Sequence, residues 1–160
     1  MTVNETTSKG TTRTASKARA RTEQTEQQPA AATQDKGALL PEITTALHAA
    51  SDKKALAPVV LDLRGIASFT DFFLITSGTN QRQVQAIADE VEDRLKKEGT
   101  RPARIEGYQT AEWVLLDYGD FVVHVFLEET RRYYDLERLW ADAPILEFDE
   151  PESKKSVVSR

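Results

Sequence analysis

The reading of the fold turns on Glu112 to Trp140, EWVLLDYGDFVVHVFLEETRRYYDLERLW. Trp113 to Asp117 and Phe121 to Phe126 are runs of β-branched, aromatic and aliphatic residues, the composition of strands. Tyr118, Gly119 and Asp120 between them supply turn chemistry, so the two runs form a hairpin. Both runs are nearly continuous in apolar residues, which predicts strands covered on both faces, as in an α/β sheet. Beyond Phe126 the period becomes helical: Thr130 stands where an N-cap belongs, and Tyr133, Leu136, Leu139 and Trp140 follow at helical spacing.

Upstream of the hairpin, Val84, Ile87, Ala88, Val91 and Leu95 draw one apolar stripe along a long helix. Asn80 with Gln83 three residues on resembles a capping box, and Gly99 is placed to terminate the helix. Val59 to Leu63 and Asp71 to Ser77 are short apolar runs bounded by turn formers, and predict two buried strands. Pro41 opens a first helix with Ile43, Ala46, Leu47 and Ala50 on one face, and His48 falls off that face. A short strand is expected around Ile105, and Ile145, Leu146 and Phe148 are expected to pack back onto the sheet. The order predicts an α/β fold: a mixed sheet of about five strands flanked by helices.

Residues 1–36 contain one branched aliphatic residue, Val3, and no aromatic. Such a segment cannot bury enough apolar surface to offset its ordering entropy, so it reads as a disordered low-complexity tail. The ordered domain is then expected over 37–148, with a flexible tail over 149–160. No run reaches the roughly 20 apolar residues of a membrane span, and a cytoplasmic location is expected. Cysteine is absent and the two histidines fall on different predicted elements, which excludes a disulfide framework and a Cys/His zinc site.

The formal net charge is −5. Six basic against four acidic residues put the tail at +2, leaving 37–160 at −7. A body this acidic is poorly suited to gripping phosphate backbones and better suited to a basic partner surface. The same charge also serves solubility alone.

The loop Ser77 to Asn80 precedes a helix N-terminus, a place that favours anions, but it lacks GxGxxG and a P-loop lysine. A turn plus a helix cap accounts for the same four residues. No DxD pair that could hold magnesium occurs on a predicted strand. Asp62, Asp71 and Asp117 lie in or beside strands, where they either meet a partner's cation or pair internally with Arg64, Arg131 or Arg132. His124 has no nucleophile motif nearby and reads as a satisfied, partly buried histidine. Trp113, at a strand start beside Glu112, is either a core residue or an aromatic anchor in an interface.

LDLRG from Leu61, TDFFLITSGTNQRQVQAIAD from Thr70, WVLLDYGDFVVHVF from Trp113 and EETRRYYDLERLW from Glu128 together resemble the ribosomal silencing factor family, also called RsfS or Iojap-related proteins. The resemblance runs from Leu39 to about Leu146 and leaves out the N-terminal tail. It implies a nucleotidyltransferase-like fold without catalytic carboxylates, no cofactor and no enzymatic activity. It further implies binding to the large ribosomal subunit through its ribosomal protein fourteen, which sterically blocks joining of the small subunit when nutrients are scarce. Carried onto this chain's motifs, the partner-binding residues are Asp71, Trp113, Leu115, Asp117, Tyr118 and His124. A minor rRNA contact and the choice between monomer and homodimer stay open, as does the alternative of a nucleotide-binding or nucleotidyltransferase-like enzyme.

Overall fold

A computed structural model of the protein describes residues 39–149. The expected tails, apart from Asp149, lie outside the described residues. The first helix, α1 (Pro41–Asp52), starts at its proline and buries Ile43, Ala46, Leu47, Ala49 and Ala50. Strands β1 (Leu56–Asp62) and β2 (Phe72–Gly78) follow, then the long helix α2 (Gln81–Lys97). A short β3 (Arg104–Glu106) precedes the hairpin β4 (Trp113–Asp117) and β5 (Phe121–Leu127). Two short helices, α3 (Glu128–Tyr134) and α4 (Leu136–Leu139), lead to β6 (Ile145–Leu146).

The strands form one six-stranded mixed sheet in the order β3-β4-β5-β2-β1-β6. At its centre β2 and β5 run parallel in unbroken register from Phe72↔Phe121 to Gly78↔Leu127, while every other pair is antiparallel. All of β2 and Phe121 to Phe126 of β5 are buried, as continuous apolar runs require. The two side-chain sets of these strands point to opposite faces. Phe72, Leu74, Val123 and Val125, with Val114 and Leu116 of β4, pack under α1 and α2. Phe73, Ile75, Val122 and Phe126 pack under the C-terminal segment around Leu136, Trp140 and Ala143.

Helix α2 begins as its sequence predicts, with Asn80 Oδ1 accepting the Gln83 amide at 2.8 Å. Gln83 does not close the box on Asn80; its Oε1 accepts the Thr79 amide instead, at 2.8 Å. The helix stops at Glu98, followed by Gly99 at φ 91°.

Three expectations are corrected. The sheet has six strands, because Ile145 and Leu146 add an edge strand to β1. The last helix starts at Glu128 rather than after Thr130, and breaks at Asp135 in the left-handed region (φ 48°), a conformation a short polar residue tolerates. That break leaves Tyr133 and Leu139 exposed instead of continuing one apolar stripe. Strand β4 is fully covered on one face and only partly on the other, since its residues alternate between half-buried and buried. The cause is reach: α3 is only seven residues long, and the chain then turns back toward β1.

The C-terminal segment is held by Arg131, whose guanidinium donates to the Leu56 carbonyl at 3.3 Å, Ser77 Oγ at 3.2 Å and Glu137 at 2.7 Å. One cation thereby ties α3 and α4 to the ends of β1 and β2.

Replacing Asn80 by Ala removes the cap of α2 and is expected to cost about 1 kcal/mol, a Tm drop of roughly 4 °C in a domain of this size. Calorimetry of the Asn80→Ala variant checks this; an unchanged Tm means that Gln83 alone organises the helix start.

Candidate functional site

The uncovered part of the sheet lies on β3 and β4, on the face opposite α1 and α2. Strand alternation puts Trp113, Leu115 and Asp117 there together. The register sets Phe126 beside Trp113, His124 beside Leu115 and Val122 beside Asp117. On the outer side β3 contributes Glu106 opposite Leu115 and Arg104 opposite Asp117. Glu106, Gly107, Trp113 and Leu115 line a shallow depression of about 220 Å³.

Trp113 is held from three sides. Its ring stacks on Phe126 with centroids 4.9 Å apart, and Tyr134 of α3 lies against it at 4.9 Å. Its indole N–H donates to His124 Nδ1 at 3.0 Å. His124 is 3% exposed, and burial pushes its pKa down to about 3, against a smaller opposing pull from Asp117. The neutral ring therefore carries its proton on Nε2 and accepts from the indole at Nδ1. Among the described residues His124 Nε2 meets no hydrogen-bond partner, and the edge-on Phe73 ring lies 4.4 Å from the imidazole centroid.

Gly107 shapes the rim. It sits at φ 78°, and a Cβ there would lie 2.0 Å from the Trp113 carbonyl oxygen. Only glycine lets the β3–β4 loop pass this close to the strand.

The six residues carried over from the family motifs separate into groups. Trp113, Leu115 and Asp117 share the open face, all partly exposed. Asp117 has an internal partner, Arg104 Nε at 3.3 Å, and also accepts the Gly119 amide at 2.9 Å. Arg104 is not among the cations expected for it. Asp62 pairs with the expected Arg64 at 2.8 Å, while Arg131 takes Glu137. Asp71 is exposed at the hairpin-turn end of the sheet, where its amide donates to the Asp120 carbonyl at 3.0 Å. Tyr118 belongs to the opposite face, stacked on Phe121 at 4.8 Å beside the core under α1 and α2. Burial raises its pKa well above that of an exposed phenol, and its hydroxyl has no partner among the described residues. His124 is buried and accepts a hydrogen bond from the partly exposed Trp113.

Sequence reasoning missed Phe126, Tyr134 and Glu106 as parts of this face. Counting outward from the hairpin turn would have placed Phe126 opposite Trp113. Tyr134 depends on where α3 lands, and three exposed residues of β3 carry no pattern.

At Ser77 to Asn80 the Gln83 amide of the first turn of α2 is capped by Asn80 and the Thr79 amide is taken by Gln83, whose Nε2 donates on to the Lys53 and Lys54 carbonyls at 3.0 Å. Turn and cap account for that loop. Among the described residues no group of three or more His, Asp and Glu is placed to hold a metal, and no helix is long and apolar enough to cross a membrane.

The geometry is thus an open, aromatic-lined sheet face with acidic neighbours, the form of a docking surface rather than a cleft around reactive groups. The family model described as ribosomal silencing factor during starvation matches residues 36–159. A ribosomal silencing factor RsfS of Halalkalibacterium halodurans is 49% identical over 104 residues, 65% of this chain and 89% of that protein. A crystal structure of a Bacillus halodurans protein superposes with a TM-score of 0.60 at 46% identity, covering 66% of this chain and 96% of that one. A mouse protein named for mitochondrial assembly of the ribosomal large subunit is 37% identical over 75 residues, 45% of this chain and 33% of its own length. The chain belongs to the ribosomal silencing factor family.

Two outcomes are expected. Gly107→Ala should destabilise the domain by about 2 kcal/mol or more, because φ and the Trp113 carbonyl both oppose a side chain; urea unfolding reads it, and a neutral result means the loop can move away. His124 binds a proton in the unfolded chain near pH 6.5 but in the fold only near pH 3, so its contribution is intact above pH 6.5 and is lost as pH falls through that window. From pH 7 to 5 the native protein should lose on the order of 2 kcal/mol more than His124→Asn. Equal losses in urea titrations at the two pH values would show that His124 protonates freely in the fold.

Proposed function

We propose that this protein docks on the large ribosomal subunit through ribosomal protein fourteen. By occupying that place it blocks the small subunit from joining, and so represses translation in the cytoplasm when nutrients are scarce. The mechanism is steric occlusion; no bond is made or broken, and the protein is not an enzyme.

The observation that carries this reading is the half-exposed Trp113–Leu115 face on a rigid sheet. Trp113 is fixed by Phe126, Tyr134 and His124 before any partner arrives, so little side-chain entropy remains to be lost on docking. Tryptophan so placed is the commonest kind of energetic anchor in protein interfaces. Glu106 and Asp117 share Arg104, which leaves one negative charge beside the face, and the exposed Asp71 adds another at the hairpin-turn end of the sheet; both are complementary to a basic ribosomal protein. In this assignment Trp113, Leu115, Asp117 and Asp71 meet the partner, while His124 and Tyr118 support them from within. The starvation term in the family description and the name of the mouse relative, which refers to assembly of the large ribosomal subunit, point the same way.

Sucrose-gradient co-sedimentation with large subunits, small subunits and their mixture tests the proposal. The native protein should migrate with large subunits and diminish the joined-ribosome peak. Trp113→Ala should bind at least about 30-fold more weakly, a loss of 2 kcal/mol or more, while its thermal transition persists. Protein that stays at the top of the gradient at low and moderate salt overturns the docking reading. Loss of the transition in Trp113→Ala would instead make Trp113 a core residue.

A further inference from the structure

Beside the docking face, α3 and α4 carry a ridge of different chemistry. Tyr133 is 81% exposed, Tyr134 52% and Leu139 74%. The two tyrosine rings meet edge to face, 5.0 Å apart at 88°. With Arg132, Asp135 and Arg138 these residues line a wide, shallow groove of about 510 Å³. Tyr134 also touches Trp113, so the ridge continues directly from the docking face.

Two arginines flank the tyrosines. Arg64, Arg94, Arg104 and Arg131 stand in ion pairs, whereas the exposed Arg82 and Arg101, like the two arginines of this ridge, hold none among the described residues. The guanidiniums of Arg132 and Arg138 hold no hydrogen bond or ion pair among the described residues, although both are exposed. The acids nearest in sequence do not cancel them: Glu137 is bound to Arg131, and Asp135, which lines the groove, leaves it one positive charge in excess. Glu128 and Glu129 lie on the first turn of α3, where they line a separate pocket with Thr79 and Asn80 that Arg132 also borders.

We propose that this ridge contacts ribosomal RNA of the same large subunit, with Arg132 and Arg138 on backbone phosphates and the tyrosine rings against unstacked bases. The proposal rests on the docking reading and adds a second partner to it. Exposed aromatic rings flanked by cations are the surface that single-stranded RNA segments use, bases on the rings and phosphates on the cations. A basic ribosomal protein suits the face, where Glu106 and Asp117 share the single cation Arg104, better than the groove with its one excess positive charge, so the two surfaces suit different components of the subunit. The net charge of −7 on residues 37–160 does not oppose this. Screening at about 8 Å in physiological salt lets local charge decide a contact.

The test measures native protein, the Arg132→Ala/Arg138→Ala double variant and Trp113→Ala against three probes: intact large subunits, isolated ribosomal protein fourteen and protein-free large-subunit rRNA. The arginine variant should lose about tenfold on intact subunits at low salt, with a shallower dependence on salt, and should bind the isolated protein as the native chain does. On the protein-free rRNA it should lose the weak, salt-sensitive binding that the native chain shows. Ultraviolet irradiation of the native complex should cross-link Tyr133 or Tyr134 to rRNA. An equal loss on the isolated protein would make the ridge a protein-docking surface, and an unchanged affinity for intact subunits with no cross-link would make it solvated surface; either overturns the RNA contact. Full affinity of Trp113→Ala for the isolated protein would overturn the docking reading separately.

Discussion

The parallel pairing of β2 with β5 is the constraint on which the rest of the molecule depends. Seven consecutive residue pairs, from Phe72↔Phe121 to Gly78↔Leu127, bring together segments more than forty positions apart, and the strands are buried on both faces. A one-residue slip would exchange the two faces of both strands, so the register is specified by both cores at once. Once it is set, the hairpin partner β4 must lie on the far side of β5 from β2. The long helix α2 then packs with α1 on one face, leaving the other for the C-terminal segment.

That C-terminal cover is too short to reach the whole face, and the partly open surface of β4 follows from this shortage. Helix α3 ends at Asp135, and Arg131 ties the segment down over the ends of β1 and β2. Strand β4 is left half-bare. An exposed apolar strand face would ordinarily invite unspecific association. Here it is small, rimmed by Glu106 and Asp117, and its one large ring is held in place by Phe126, Tyr134 and the His124 acceptor. A buried neutral histidine is costly to protonate, and that cost is what keeps Nδ1 free to accept the indole proton.

The surface is accordingly divided. Beside Trp113 and Leu115, Glu106 and Asp117 share Arg104, while on the adjoining ridge Arg132 and Arg138, unpaired among the described residues, flank the tyrosines. Net charge alone hides this arrangement, because it averages over distances beyond the reach of a screened contact.

The sequence by itself determined the strong local patterns. The apolar runs of β2, β4 and β5, the stripe of α2 with its Asn80 cap and Gly99 stop, and the turn at Tyr118 to Asp120 were legible because each depends on residues close together in the chain. Alternation along β4 also put Trp113, Leu115 and Asp117 on one side without further help. Which side was open was not legible, since that depended on how far α3 extends and on Asp135 breaking the helical stripe. Tyr118 and His124 share sequence motifs with Trp113, Leu115 and Asp117, yet the fold half-buries one against the opposite core and buries the other beneath Trp113. The pairing of Asp117 with Arg104 and the placing of Tyr134 over Trp113 join residues from separate elements. Only tertiary structure decides such contacts, because side chains meet across a sheet by register and by the reach of the covering segment, and neither leaves a period in the sequence.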